Sequence, residues 1–208
     1  MLVKKTVQSF TEELASASPA PGGGSVAALA GSIAGSLVSM VSKLTIGKEK
    51  YKDYEEELKG VMEEAQNLRI KLLKLVDDDT EAFNKVMAAF KMPKETPEDK
   101  IKRSDAIQSA FVGAAELPLE VAKLCLRAMK LSETVIDHGN SNAASDAGVS
   151  VLMAGAGSKA AALNVEINLG AIKDEAKKEE LQENLDSVMQ ELVRVEKTLL
   201  EKVRKKIV

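Results

Sequence analysis

Gly22-Gly23-Gly24-Ser25-Val26-Ala27-Ala28-Leu29-Ala30-Gly31-Ser32-Ile33-Ala34-Gly35-Ser36-Leu37-Val38-Ser39-Met40-Val41-Ser42 contains no charged side chain. Ala, Gly, Ser and Val recur on every face at helical spacing, and no alternation of apolar and polar residues marks a strand. The pattern predicts a helix over 25–44. A helix with no charged face is expected to be buried all round, and its small side chains let neighbouring helices approach closely. The competing reading is a membrane span. The uncharged run reaches back to Ala15, and Gly31-Ser32-Ile33-Ala34-Gly35 has the small-xxx-small spacing of membrane helices. Pro19, Pro21, three glycines and many serines make the run too weakly hydrophobic for hydrocarbon, so a buried helix of a soluble protein is expected, with no membrane partner.

A second, almost uncharged small-residue helix is expected over 143–169, after the loop Asn140-Ser141-Asn142 and before Gly170. Amphipathic segments surround these two. The segment 2–15 has Val3, Val7, Phe10 and Leu14 on one face, and Ser18 to Ser25 breaks it. A long helix over 51–91 carries the seam Leu58, Val61, Ala65, Leu68, Leu72 and Leu75. Thr96-Pro97-Glu98-Asp99 has a cap, a first-position proline and an acid three residues after the cap, so a helix starts there. It is expected to reach about Glu116, where Pro118 breaks or kinks the path. Another runs to about Asp137, and the last covers 173–207 with Leu181, Leu185, Val188, Leu192, Val195 and Leu199 inside. The expected fold is all-α, a multihelical bundle with buried small-residue central helices, in one domain over 1–208.

Composition narrows the function. Lys+Arg is 29 and Asp+Glu is 32, a net charge of −3, which argues against a general polyanion binder. Trp is absent and aromatics are 3%, so base stacking on nucleic acid is not expected either. The single cysteine, Cys125, cannot form an intrachain disulfide, consistent with a cytoplasmic protein. It sits between Leu124 and Leu126 as a core residue. One histidine, His138, and no Cys/His cluster leave no expected metal site. At the end of a helix, His138 reads as a cap.

Four features depart from a plain bundle. Gly22, Gly23, Gly24 and Ser25 open a buried helix, where backbone N–H groups and the macrodipole favour an anion or a carbonyl oxygen. The same residues suit a tight turn with close helix packing, and no Walker spacing follows. Asp79 falls on the apolar stripe of the long helix, between Leu72 and Phe83, while Asp77 and Asp78 point elsewhere. A carboxylate there needs a partner or a raised pKa. It is either a proton-handling group or a buried carboxylate that caps another helix or pairs with lysine. Asp146 stands just inside the second small-residue helix, where the dipole favours it. Asn164 and Asn168 share a face of that helix and need hydrogen-bond partners. Asp146 and Asn164 are 18 residues apart, about 27 Å along the axis. They can serve opposite ends of a long ligand, or two sites shared across an oligomer, but not one reacting centre.

Pro21 to Ser25, Leu44-Thr45-Ile46-Gly47-Lys48 with Tyr51, Asp79-Thr80-Glu81-Ala82-Phe83, Ser145-Asp146-Ala147-Gly148 and Ala162 to Leu169 occur in that order. The ordered set resembles the cyclodeaminase domain of formiminotransferase-cyclodeaminase and its stand-alone bacterial relatives, some of which are methenyltetrahydrofolate cyclohydrolases. It covers nearly the whole chain. The resemblance implies a multihelical, at least dimeric enzyme and hence a homodimer. It implies closure of 5-formiminotetrahydrofolate to 5,10-methenyltetrahydrofolate with release of ammonia, a lyase step of histidine degradation, with no cofactor beyond the tetrahydrofolate substrate. Asp79 and Asp146 become the expected acid and base. Gly22, Gly23, Gly24, Ser25, Lys48, Tyr51, Asn164 and Asn168 become the expected contacts to the pterin or to a polyglutamylated tail. The alternatives are a cyclohydrolase using nearly the same pocket, and a non-enzymatic helical oligomerisation module, which leaves Asp79, Asn164 and Asn168 unexplained.

Overall fold

The computed structural model describes residues 1–207, so only the last position of the expected domain lies outside it. Among the described residues there is no strand. Six α-helices follow in order: α1 Val7–Leu14, α2 Gly23–Lys43, α3 Glu55–Phe90, α4 Pro97–His138, α5 Ala144–Leu169 and α6 Glu175–Ile207. The all-helical expectation stands, with three corrections.

The first concerns the amino-terminal segment. It is a short 3-10 turn, Leu2–Lys4, followed by the short helix α1, which starts where the Thr6 side chain accepts the Ser9 amide. Of the expected apolar face only Phe10 is buried; Val7 is exposed.

The second concerns α4, which runs unbroken through Pro118. Proline has no N–H for the carbonyl four residues back. That carbonyl belongs to Ala114, and the Asn168 side-chain amide donates to it at 2.9 Å. A partner from another helix replaces the missing bond, and the helix continues. Its start is as expected, with Thr96 and Asp99 exchanging both bonds of a capping box.

The third concerns the two small-residue helices. They lie side by side, antiparallel, and glycines set their separation. A Cβ at Gly157 of α5 would come within 3.0 Å of the Cys125 sulfur and 2.9 Å of the Ala27 carbonyl of α2. One at Gly31 would come within 2.5 Å of the same sulfur. The pair rests on α4, with α3 beside α2 and α6 beside α5. The remaining face is uncovered except at the amino end of α2, where Val7, Phe10 and Leu14 of α1 share an apolar groove with Val26 and Leu29. Val26, Ile33 and Met40 of α2 are exposed there, as are Val149, Leu152, Leu163 and Ile167 of α5. The two helices are thus buried on three sides rather than all round. By length and a hydropathy of 1.6, α2 would suit a membrane, but 67% of that window is buried inside the bundle.

The jacket behaves as its periodicity predicts. Leu58, Val61, Ala65, Leu68 and Leu72 of α3, and Leu181, Leu185, Val188, Leu192 and Leu199 of α6, are buried. Ion pairs between neighbouring helices, such as Arg127 to Glu64, Lys159 to Glu196 and Lys202 to Glu133, fix their register at the surface. Cys125 is fully buried, and burial pushes its thiol up to about 12, so it is an unreactive core residue as expected.

Candidate active site

The loop Ser18 to Gly22 delivers α2 with glycines in its first turn: the helix begins at Gly23, and Gly22 is the cap, with extended backbone and no side chain to offer. Of the orphan N–H groups of this turn, that of Ser25 meets Asp79 of α3. A Cβ at Gly24 would overlap the Asp79 carboxylate, so the close approach demands glycine there. Ser25 is fully buried, and its hydroxyl oxygen lies 2.9 Å from Asp79 Oδ2 and 2.9 Å from the Val76 carbonyl oxygen. Asp79 therefore caps α2, as one of its two expected roles required, and among the described residues it has no lysine partner. Burial raises its pKa above the ordinary carboxylate value, and the Ser25 hydroxyl and amide pull it partly back.

The carboxyl-terminal half of α5 closes the same corner. A Cβ at Gly23 would stand 3.2 Å from Asn164 Nδ2. Asn164 donates its amide to the Ala160 carbonyl at 2.8 Å, and no intrachain bond among the described residues engages its oxygen. Asn168 donates to the Ala114 and Asn164 carbonyls, so its amide hydrogens are committed to the fold. Gly22 to Ser25, Asp79 and Asn164 thus converge from three helices, while Asn168, one turn further along α5, is tied to α4.

Phe83, one turn beyond Asp79 on the same stripe, is partly exposed at 37%, and Phe90 packs edge-on against Phe111 at 5.9 Å between ring centres. Three of the four phenylalanines therefore sit near this end of the bundle. Sequence reading placed Phe83 on the apolar stripe and in the family-like set, without a role in the site. The concentration of phenylalanines in a chain so poor in aromatics was the available signal. A groove of about 780 Å³ between α3 and α4 lies on another face of α3, lined by Lys74, Asp78, Lys85, Ala106, Gly113 and Leu117.

The other expected residues gather at the opposite end of α2, 21 residues away, about 30 Å. There the Asn140 amide donates to Thr45 Oγ1 at 2.8 Å, and the Ser141 amide donates to the Tyr51 hydroxyl oxygen at 3.1 Å. The Ser141 hydroxyl and amide lower the Tyr51 phenol to about 8. Lys48 is exposed beside it. His138 stacks on Tyr54 with ring centres 3.8 Å apart. Asp146 is half-buried in the first turn of α5 at this same end. Within one chain the two expected acids are therefore not brought together.

Fold and site define an all-helical protein built on a pair of small-residue helices with few charges, with a carboxylate seated at the amino end of one member. The Formiminotransferase-cyclodeaminase family model matches residues 6–187, and the chain belongs to that family. It is 42% identical to a methenyltetrahydrofolate cyclohydrolase of Methylorubrum extorquens over 100% of both chains. It is 33% identical to a formimidoyltransferase-cyclodeaminase of Sus scrofa over 91% of this chain, spanning 35% of that protein. Its fold superposes on the formiminotetrahydrofolate cyclodeaminase of Thermotoga maritima with a TM-score of 0.90 at 27% identity, covering 100% of each chain.

Proposed function

We propose that this protein is a formiminotetrahydrofolate cyclodeaminase of the cytoplasm, a lyase closing 5-formiminotetrahydrofolate to 5,10-methenyltetrahydrofolate with release of ammonia. The observation that carries the reading is Asp79. It is shielded and free of any cationic partner, and it stands where α2, α3 and α5 meet in a member of this family. In the reaction, the 10-nitrogen attacks the carbon of the formimino group, whose imino nitrogen is protonated, and a carbon–nitrogen bond forms. Asp79 takes the proton from the 10-nitrogen and delivers it to the former imino nitrogen, which leaves as ammonia as the second carbon–nitrogen bond breaks. One carboxylate serves both steps because its raised pKa lies closer to neutrality. Gly22, Gly23 and the free Asn164 oxygen face the pterin, and Phe83 offers a ring face for it. No metal or redox cofactor takes part.

The working unit in this reading is a homodimer. The apolar face of α2 and α5 runs between the two ends of the bundle, and a second copy would cover it. A two-fold axis across the antiparallel pair carries Lys48, Tyr51 and Asp146 of the second copy towards Asp79 of the first. Lys48 then meets the glutamate carboxylates of the tail, including a polyglutamylated one.

A second reading, hydrolysis of 5,10-methenyltetrahydrofolate, is favoured by the full-length relative at 42% identity. It uses the same pocket with Asp79 activating a water. Parallel assays decide between them: ammonia release from 5-formiminotetrahydrofolate is expected, whereas loss of methenyl absorbance without ammonia release would make the protein a cyclohydrolase. Neither activity, and no thermal stabilisation by millimolar folate, would leave a helical oligomerisation module.

A further inference from the structure

The Ser25 hydroxyl has one proton and, at equal distances of 2.9 Å, two acceptors: Asp79 Oδ2 and the Val76 carbonyl. It is fully buried, so neither water nor substrate reaches it. A hydroxyl also accepts. With Asp79 ionised, Ser25 turns its proton to the carboxylate. With Asp79 protonated, the new O–H donates to Ser25 Oγ, and Ser25 turns its own proton to Val76, whose carbonyl has a second lone pair for it. Both protonation states are then fully hydrogen-bonded without any heavy atom moving.

We infer that Ser25 is a positioning residue, a two-position hydroxyl rotor that keeps Asp79 in one geometry while a proton arrives and leaves. This rests on the proposed proton-shuttling reaction and removes Ser25 from the substrate contacts. The surroundings leave the task to Ser25. Between Gly23 and Ser42, α2 has no charge, and α5 presents Asn164. On α3, Asp77 accepts the Leu2 amide and Asp78 pairs with Lys74, while Lys5 of the amino-terminal segment pairs with Glu13.

The test has two arms. Carbon-13 NMR of the Asp79 carboxyl is followed against pH in ligand-free wild type, Ser25→Ala and Ser25→Thr. In Ser25→Ala the ionised carboxylate loses its donor, so its midpoint is expected to rise by about half a pH unit or more, with Thr restoring it. Identical titrations in the three proteins would overturn the rotor. The second arm measures pH–rate profiles. Ser25→Ala is expected to lower kcat about tenfold with KM within about threefold, and to move the acid limb upward in step with the NMR midpoint. A limb that stays put, or a loss confined to KM, would make Ser25 merely structural or a substrate contact. If wild type acts on neither folate while the NMR midpoint still moves, the proposed reaction fails and the coupling of Ser25 to Asp79 survives. Should Ser25→Ala not fold, Ser25→Cys, a weak donor of similar size, must show the same shift in smaller measure.

Discussion

Ionising Asp79 puts a negative charge between the first turn of α2 and the body of α3, where burial opposes it more than the Ser25 hydroxyl and amide assist it. The folded-state pKa is therefore above the unfolded value. The charged form is penalised at any pH above the folded value, and the penalty disappears below the unfolded one. Asp79→Asn should then raise the thermal midpoint at neutral pH, with the gain fading as pH falls towards about 4, while turnover drops about a hundredfold or more. A scan of melting temperature against pH, paired with the ammonia assay, reads both; turnover within about threefold of wild type would end the acid/base role of Asp79. The neighbouring glycines separate close packing from conformational freedom. Gly24→Ala must displace the carboxylate and should cost most of the activity, whereas a Cβ at Gly22 meets nothing within 4 Å. Gly22→Ala should leave stability within about 0.5 kcal/mol, measured by urea unfolding. Asp79 could be read from the sequence because it interrupts an apolar stripe of period 3.6. That its partner is the Ser25 hydroxyl could not, because 54 residues separate them.

Pro118 and Asn168 show how one element depends on another. The sequence expectation ended a helix near Pro118, applying a local rule to a local signal. The rule is overridden by a side chain 50 residues later in the chain, whose amide supplies what the proline ring withholds. Asn168→Ala would leave the Ala114 carbonyl without its replacement partner, costing about 1–3 kcal/mol. In a Pro118→Ala background the backbone N–H returns and part of that cost should disappear. A double-mutant cycle in denaturant should give a coupling of about 1 kcal/mol, and additive losses would show that the two residues do not work together. Helix boundaries were more legible: the Thr96 capping box that starts α4 and the Gly170 end of α5 fall where the residues announce them.

At the level of the whole molecule, a second copy is expected to cover the face formed by Val26, Ile33 and Met40 with Val149, Leu152, Leu163 and Ile167. Ile167, at 77% exposed, stands beside the Asn164 end of α5. Contiguous apolar surface of this kind marks an association site. Wild type should elute as a dimer with light-scattering detection, and Leu152→Glu should shift it towards monomer and lower turnover if the site is shared between copies. An active monomer would confine the chemistry to the Asp79 corner. Sequence by itself determined the all-helical class, the two small-residue helices, the seams of the jacket and the unusual place of Asp79, because side-chain periodicity and capping are written within a few residues of one another. Only the tertiary structure decided that Asp79 meets Ser25 rather than a lysine, that Asp146, Lys48 and Tyr51 sit some 30 Å off at the far end of α2, and that the central pair keeps one side open. Those outcomes depend on which helices lie side by side and in which direction, set by contacts between residues far apart in the chain, and no local pattern encodes them.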